Sequence, residues 1–248
     1  MIDSTATIQG PREYQEDRYF TAGLEQGTLL GVMDGHGGAE TAEYLDEHLP
    51  SAWVDAFGDA EFHAETAMYA AVKRMHEETK NMNAGATLSL VFIPNSENIA
   101  YIAILGDSPV ILQKPDGTTH LSPEHNVRTN ATELDAAKGR GAYVYGGYMS
   151  VGYDGPGIQM TRVLGDAELD PIINRTPEVY SMPLGDFLII GTDGLLDPSH
   201  SADGKEQCRR FAEMVKSGFN ATDIVNSIQP PSDNITAILW KRTAVESV

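Results

Sequence analysis

Four short apolar runs along the chain each meet an aspartate at one end. The runs and their acids are residues 29–33 with Asp34, residues 99–105 with Asp107, residues 187–190 with Asp193, and residues 235–240 with Asp233. Runs of this length, bounded by glycine and polar residues, predict buried strands. Strands packed side by side bring their ends together, and a convergent carboxylate cluster repels itself unless cations neutralise it. The pattern therefore predicts a site for hard divalent metal ions.

The rest of the chain alternates between blocks of strands and blocks of helices. After Gly38 apolar residues recur three and four apart, and residues 59–84 contain neither glycine nor proline, which predicts two consecutive helices. The other predicted elements are strands at 19–23 and 28–33, hairpin strands within 85–121, a short helix at about 123–138, strands at 177–182, 187–190 and 235–240, and two helices within 205–228 broken near Gly218. Such segregation predicts an α+β fold with separate helical and sheet layers and mainly antiparallel sheets.

The segment at 139–157 has a different composition. It contains seven glycines and four tyrosines, and its aliphatic residues are too few for a core element. We expect a mobile surface lobe there. Its glycines lower the cost of reshaping the backbone, and its tyrosines offer a large contact area with few rotatable bonds.

Length and charge narrow the function classes. A chain of 248 residues with 41% hydrophobic and 21% charged residues suits one compact domain, which we expect to span 1–248. The 17 basic and 36 acidic residues give a net charge of −19, which opposes binding to nucleic acid and to anionic membranes. The single cysteine excludes an intramolecular disulfide. No signal-peptide pattern opens the chain and no apolar run approaches the ~20 residues of a spanning helix, so we expect a cytoplasmic protein.

Seven short motifs follow one another along the chain. They are Arg12-x-x-x-Glu16-Asp17, Asp34-Gly35-His36-Gly37-Gly38, Gly85-Ala86-Thr87, Gly106-Asp107-Ser108, Thr161-Arg162-x-Leu164-Gly165-Asp166, Asp193-Gly194-Leu195-Leu196-Asp197 and Asp233-Asn234-Ile235-Thr236. Each motif is weak by itself. The set, in this order over nearly the whole chain, resembles the motifs of the PPM/PP2C metal-dependent protein phosphatases. Several motifs also coincide with the strand ends at which the apolar pattern predicts metal ligands.

This resemblance implies a four-layer αββα sandwich, in which two central, mainly antiparallel sheets are flanked by helix pairs. A site for two Mn²⁺ or Mg²⁺ ions would lie between the sheets, with a weaker third ion beside it. The implied direct ligands are Asp34, which bridges both ions, the carbonyl of Gly35, Asp193 and Asp233. Glu16 and Asp17 would act mainly through metal-bound waters, which Mg²⁺ retains. The residues that resemble the third site are Asp107, Asp193 and Asp197.

The resemblance also implies a reaction, the hydrolysis of phosphoserine and phosphothreonine in phosphorylated protein partners. A water bridging the two ions would become a hydroxide-like nucleophile and attack phosphorus directly, so no covalent enzyme intermediate is needed. Arg12 would bind the phosphate through its planar fork, and His36 would protonate the departing alkoxide as general acid. By position, the lobe at about 127–158 corresponds to the family's flap beside the site. We expect a monomer whose flap helps to choose protein substrates.

Other phosphatase chemistries lack their signatures in this sequence. An aspartate nucleophile would lie two residues before a second aspartate, and Gly191 occupies that position before Asp193. A cysteine phosphatase needs an arginine six residues after its nucleophile, and Met214 lies six residues after Cys208. The chain also has no Gly-x-x-x-x-Gly-Lys-Ser/Thr loop and no close histidine pair suited to zinc.

Two positions depart from the residues common in the family. Pro109 stands where many relatives carry arginine, and Glu124 stands where aspartate is common, but neither change removes a predicted metal ligand. One alternative from another class stays open, a non-catalytic pseudophosphatase or phosphoprotein-binding scaffold with the same fold. Such proteins usually lose metal-binding acids, and none is lost here.

Overall fold

The computed structural model describes residues 1–196 and 204–242. Its strands are β1 (Ile2–Ile8), β2 (Arg18–Gly23), β3 (Gly27–Met33), β4 (Gly35–His36), β5 (Gly85–Ala86), β6 (Leu88–Pro94), β7 (Ile99–Leu105), β8 (Val110–Gln113), β9 (Thr119–Leu121), β10 (Tyr143–Tyr145), β11 (Tyr148–Ser150), β12 (Gly157–Ile158), β13 (Leu164–Gly165), β14 (Glu178–Pro183), β15 (Phe187–Gly191) and β16 (Ile235–Lys241). The α-helices are α1 (Glu40–Asp59), α2 (Ala64–Thr79), α3 (Ala131–Gly139), α4 (Gly204–Lys216) and α5 (Ala221–Asn226). Short 3₁₀ turns cover Ala167–Leu169 and Asp193–Leu195.

Two five-stranded sheets form the centre of the molecule. One has the strand order β1-β16-β15-β8-β9 and the other β14-β7-β6-β3-β2. Every pairing within these two sheets is antiparallel. A continuous apolar cluster fills the space between them, with side chains from both sheets. The predicted antiparallel sheets are therefore confirmed.

Strand β3 shows why the strands of these sheets appear in the sequence as uninterrupted apolar runs. Side chains alternate between the two faces of a strand. Leu29 and Met33 pack toward the cluster that contains α1 and α2, whereas Leu30 and Val32 pack between the sheets. Because both faces of β3 are covered, the strand lacks the polar alternation of a strand with one face in water.

Helices cover the outer face of each sheet. The α1–α2 pair contributes buried Leu45, Trp53 and Met75 to the cluster against β2, β3, β6 and β7. The α4–α5 pair packs Phe211 and Ile224 against β8, β15 and β16. This arrangement of helices, sheet, sheet and helices confirms the predicted four-layer αββα class.

The third helix begins later than the sequence predicted. The expected helix at 123–138 is observed as α3, which starts at Ala131. The side chain of Asn130 accepts hydrogen bonds from the backbone N–H groups of Thr132 and Glu133, so it caps the helix at this point. The preceding residues, 123–130, remain in extended and turn conformations. Two of them, Glu124 and Asn126, line a pocket together with Asp107 and Asp193.

The prediction that residues 139–157 carry no core element is wrong. Strands β10, β11 and β12 pair antiparallel into a small sheet, and Met149 on β11 is fully buried. Its apolar neighbours come mostly from outside this segment and include Val127, Val163 and Ile172. The tyrosines do lie on the surface, because Tyr145 and Tyr153 are 77% and 78% exposed. The mobility of this lobe stays a prediction.

A second small sheet has the order β13-β5-β4. Gly85 lies on β5, the middle strand, and pairs with His36 of β4 on one side and with Gly165 of β13 on the other. Three segments that are far apart in sequence thus meet beside the ends of the central strands. Within residues 1–196 and 204–242, none of the helices is both long and apolar enough to cross a membrane.

Candidate metal and phosphate site

Most residues predicted for the site line one cleft of about 280 Å³ at the ends of the central strands. The predicted residues that line it are Arg12, Glu16, Asp34, Gly35, His36, Asp107, Asp193 and Asp233. The four acids lie at the ends of strands, as the apolar runs predicted. Strands β3, β7 and β15 end just before an acid, and β16 begins just after one. Asp17 lies next to this group, and Asp197 lies outside the described residues.

Asp34 carries the strongest sign of crowded charge. Loss of hydration raises the pKa of Asp34 well above its ordinary value, and the carboxylates of Asp193, Asp17 and Asp107 raise it further. Its backbone N–H is fixed by the Thr87 hydroxyl at 3.1 Å, so the strand end cannot simply turn away. A cation placed among these acids would relieve the repulsion.

Asp17 is buried behind the cleft with half of its carboxylate unpartnered. One oxygen, Oδ2, accepts a hydrogen bond from the Thr192 hydroxyl at 3.0 Å, while Oδ1 is buried and accepts none. Burial raises the pKa of Asp17 to about 7. A buried carboxylate oxygen without a donor is costly, so this oxygen fits a role toward a cation or an ordered water.

Asp107 lies where the cleft meets a second pocket. Burial and the neighbouring Asp193 raise the pKa of Asp107 to about 7, although Asn126 donates a hydrogen bond to its Oδ2 at 2.7 Å. Asp107 and Asp193 also line an adjoining pocket of about 210 Å³ that contains Glu124, Arg128 and Gln159. The carboxylates thus continue from the main cleft into this pocket.

Arg12 and Asp233 pair with each other. The Arg12 Nη2 to Asp233 Oδ2 distance is 2.5 Å, and the Arg12 side chain is about half exposed. The sequence predicted separate roles, Arg12 on phosphate and Asp233 on metal, and the structure brings both residues to the cleft as an ion pair. If a metal ion bound Asp233 and a phosphate bound Arg12, each of the two side chains would still have a partner of opposite charge.

Glu16 and Gly35 are held in contact at the base of the cleft. Glu16 Oε1 accepts a hydrogen bond from the Gly38 N–H at 2.7 Å, and its own N–H donates to Asn234 Oδ1 at 2.9 Å. A Cβ atom at Gly35 would lie 2.6 Å from the Glu16 carbonyl oxygen, so only glycine allows this approach. The conformation keeps the Gly35 backbone at the surface of the cleft, where a carbonyl ligand is predicted.

His36 projects from β4 and pairs with Asp166, an acid to which the sequence motifs assigned no role. Its Nε2 lies 2.7 Å from Asp166 Oδ2, and its Nδ1 is buried without a hydrogen-bond partner.

Two other residues of the site were also missed. Glu124 was noted only as a departure from the family. Asn234 was noted only as part of a motif, yet the Nδ2 of Asn234 donates hydrogen bonds to the carbonyls of Gln9 and Tyr14.

The signals for these residues in the sequence are weak. Asp166 follows Leu164-Gly165, which is too short an apolar run to predict a strand. Asn234 is one asparagine in a polar turn, and its bonds to the loop at 9–16 depend on the pairing of β1 with β16. The partners of such residues are set by tertiary structure and cannot be predicted from local pattern.

The described part of the chain offers no ready-made metal cage. Across residues 1–196 and 204–242, no three His, Cys, Asp or Glu side chains form a group that could hold a metal ion as they stand. The donor chemistry still fits a hard cation, because the cleft presents mutually repelling carboxylates and the unpartnered Oδ1 of Asp17. Mg²⁺ and Mn²⁺ favour oxygen ligands, and Mg²⁺ keeps several waters that can span the remaining distances.

Fold and site together define an αββα sandwich with an acid-lined cleft at the ends of its two sheets. The chain belongs to the protein phosphatase 2C family, whose sequence profile matches residues 8–228. The resemblance found in the motifs is therefore confirmed at the level of the family.

Named relatives agree with this assignment. Probable protein phosphatase 2C 52 of Oryza sativa subsp. japonica is 26% identical over 253 residues, covering 95% of this chain and 49% of the relative. Probable protein phosphatase 2C 11 of Arabidopsis thaliana is 28% identical over 257 residues, covering 94% of this chain and 64% of the relative. The chain thus spans about half of the first relative and under two thirds of the second.

Solved structures share the fold at lower identity. The serine-threonine phosphatase 2C from Toxoplasma gondii aligns with a TM-score of 0.76 and 17% identity over 95% of this chain and 93% of that chain. A Caenorhabditis elegans sex-determining protein aligns with a TM-score of 0.75 and 20% identity over 95% of this chain and 63% of that chain. At these identities the likeness supports the fold alone.

Divalent ions should raise the thermal stability of the protein. The acids around Asp34 repel one another in the metal-free state, and any ion that binds only the folded protein stabilises it by mass action. At free Mn²⁺ one hundred times the dissociation constant, we expect about 2.7 kcal/mol per independent site. Differential scanning fluorimetry across an Mn²⁺ titration, with EDTA as the reference, measures the shift. A melting temperature that stays constant across the titration would contradict the metal site.

Proposed function

We propose that this chain is a metal-dependent protein phosphatase that hydrolyses phosphoserine and phosphothreonine with Mn²⁺ or Mg²⁺. The observation that carries the proposal is the convergence of Asp34, Asp193 and Asp233 with Arg12 and His36 in one cleft. Membership in the protein phosphatase 2C family supports the same activity. Two ions per site and a weaker third are part of the proposal.

The acids divide into direct and indirect ligands. Asp34, the Gly35 carbonyl, Asp193 and Asp233 would hold the two main ions. Glu16 and Asp17 would act through waters, and the weaker ion would take Asp107, Asp193 and Asp197. When bound, the ions would lower the pKa of water and neutralise phosphoryl oxygens, so that water attacks phosphorus without a covalent enzyme intermediate.

Arg12 has to change partner for this function. In the structure its guanidinium is paired with Asp233. The guanidinium is partly exposed and forms a planar donor fork that matches two phosphate oxygens. Occupation of Asp233 by a metal ion would free Arg12 for the phosphate, so the two predicted roles depend on each other.

Direct assay tests the proposed function. Purified protein should release phosphate from phosphoserine and phosphothreonine peptides and from p-nitrophenyl phosphate when Mn²⁺ or Mg²⁺ is present, and EDTA should abolish release. Folded protein that binds phosphopeptides but turns over none of these substrates would favour the alternative, a non-catalytic scaffold. Release that persists at full rate in EDTA would contradict metal dependence.

The exposed tyrosines of the lobe should matter for protein substrates only. Tyr148 lines the catalytic cleft, and Tyr143 and Tyr145 are exposed on the same small sheet. A protein substrate has to rest on surface near the cleft, whereas a small aryl phosphate does not. Replacing these three tyrosines with alanine should lower kcat/KM on phosphoproteins and leave p-nitrophenyl phosphate hydrolysis and Mn²⁺ affinity nearly unchanged.

A matched control separates this effect from a general loss of surface aromatic residues. Tyr69 is also exposed but lies on α2. Tyr69→Ala should leave activity on both substrate types intact. Parallel losses on both substrate types in the lobe variant, or no loss on several phosphoproteins, would count against the lobe as a specificity element.

Three further expectations stay predictions. They are the single domain over residues 1–248 with the flap at 127–158, the monomeric state and the cytoplasmic location. The substrates and partners of the protein as a whole also belong to the proposal, because the chain covers only part of the relatives' length.

A further inference from the structure

The pairing of His36 with Asp166 is a second organised feature of the cleft. Asp166 is 7% exposed, and its Oδ2 lies 2.7 Å from His36 Nε2. Its side chain oxygens have no other hydrogen-bond partner among those that the structure gives for the described residues. The two residues are 130 positions apart, so their contact is built by the fold.

The backbone around this pair is specialised to hold it. Asp166 has a φ of +50°, in the left-handed region that costs a non-glycine residue energy. Its N–H donates to the Ala84 carbonyl at 3.2 Å, and the Arg175 guanidinium donates to its carbonyl at 3.3 Å. Strain of this kind persists only where surrounding contacts over-determine the conformation, and it concentrates at functional sites.

Gly85 leaves room for the pair. A Cβ atom at Gly85 would lie 2.2 Å from both Asp166 Oδ2 and His36 Nε2. The absence of a side chain there lets the imidazole and the carboxylate meet above the small sheet. The contact therefore depends on three segments, β4, β5 and the turn after β13.

We infer that Asp166 is a positioning residue for His36, which it holds through Nε2 so that Nδ1 is the nitrogen that gives its proton to the departing alcohol. This inference rests on the proposed phosphatase function. Nδ1 has no hydrogen-bond partner among the described residues, and a polar atom without a partner is costly, so an alcohol oxygen that reaches it would supply the missing partner. A carboxylate on one ring nitrogen fixes both the ring orientation and the tautomer.

One bond to phosphorus forms and another breaks in the proposed reaction. Water forms the new bond to phosphorus, the bond from phosphorus to the Ser or Thr oxygen breaks, and that oxygen keeps the electron pair. The oxygen takes the proton from Nδ1, which leaves a neutral imidazole whose Nε2–H still donates to Asp166. The attacking water loses a proton to solvent, and His36 takes up a proton from solvent to regain the one that it gave away.

Asp166→Asn is the informative substitution. Asparagine keeps the shape of the side chain and tolerates the left-handed backbone, but it removes the carboxylate charge. We expect kcat on phosphoserine peptides to fall by about 10–100-fold, which is part of the roughly 10²–10⁴-fold contribution of a general acid. KM should change little. The rate of p-nitrophenyl phosphate hydrolysis should also change little, because the nitrophenolate leaving group needs little protonation.

Asp170→Asn is the matched control, since Asp170 lies in the same turn and contacts Arg175 but not His36.

Two measurements separate positioning from a merely structural role. In a His36→Gln background, Asp166→Asn should cause no further loss, and multiplicative losses would overturn the inference. Nitrogen-15 NMR of the metal-free protein, recorded at a pH high enough to make every imidazole neutral, should show the His36 proton on Nε2, and a changed tautomer in Asp166→Asn. A wild-type proton on Nδ1 would also overturn the inference.

The outcomes distinguish this inference from the function on which it rests. If the wild-type protein hydrolyses phosphopeptides and Asp166→Asn does so equally well, only the inference fails. If the folded wild-type protein hydrolyses no substrate with Mn²⁺ present, the proposed function fails, and the catalytic role of Asp166 fails with it.

Discussion

Replacing His36 with glutamine should slow the hydrolysis of phosphoserine peptides by about 10²–10⁴-fold, the usual contribution of a general acid. The alkoxide of serine or threonine is a poor leaving group, so its departure depends on protonation. Nitrophenolate departs without that help, and p-nitrophenyl phosphate turnover should change far less. Steady-state kinetics on both substrates at saturating Mn²⁺ measures the difference.

His48→Gln supplies the control for this experiment. His48 lies on α1, where its Nδ1 is within hydrogen-bond distance of the Tyr44 carbonyl. It has no place in the cleft, so its replacement should leave both rates unchanged. Mn²⁺ affinity should survive in His36→Gln, because the imidazole is not a predicted ligand. Equal losses on both substrates with intact metal affinity would assign His36 another role.

Replacing Asp34 with asparagine should impair activity on both substrates together, by more than the roughly 10–100-fold cost of losing a residue that only supports a metal ligand. Asp34 is a predicted ligand of both ions, and the carboxylates of Asp193, Asp17 and Asp107 repel its charge. Loss of its charge would weaken the proposed metal site, and with it the activation of water and the neutralisation of phosphate on which every substrate would depend. Kinetics across an Mn²⁺ titration separates weaker binding from a lower maximal rate.

The metal-free Asp34→Asn protein should be no less stable than the wild type, because one member of a repelling cluster is gone. Asp55→Asn is the matched control, since Asp55 is exposed on α1 and pairs with Arg74 away from the cleft. Selective loss of p-nitrophenyl phosphate or of phosphopeptide activity in Asp34→Asn would argue against a shared metal site. So would a rate that stays near the wild-type value at every Mn²⁺ concentration.

The sheets and outer helices could be predicted because their signal is local. Buried strands such as β3 and β15 read as short apolar runs, and α2 shows its buried face at helical spacing. The positions of Asp34 and Asp193 follow from the same runs, since a strand that ends at a cleft leaves its next polar residue there. This much of the site is encoded in strand boundaries.

The pairings within the site could not be predicted in the same way. Arg12 with Asp233 and His36 with Asp166 join residues 221 and 130 positions apart. No local pattern distinguishes these contacts from other charged pairs. The lobe was misjudged for a related reason, since Met149 is buried by Val127, Val163 and Ile172 from outside the glycine-rich segment.

The pairing of β1 with β16 has a consequence for how the protein is made. Ile8 on the first strand lies opposite Ile235 on the last, and Asn234 fastens the loop that carries Arg12 and Glu16. A chain emerging from the ribosome cannot complete the cleft until β16 is available, because the cleft combines the loop after β1 with residues next to β16. Closing so long a loop is slow compared with forming local hairpins. The nascent chain should therefore lack a complete cleft until β16 has left the ribosome, with the β3–β6–β7 meander folded first and the cleft completed last.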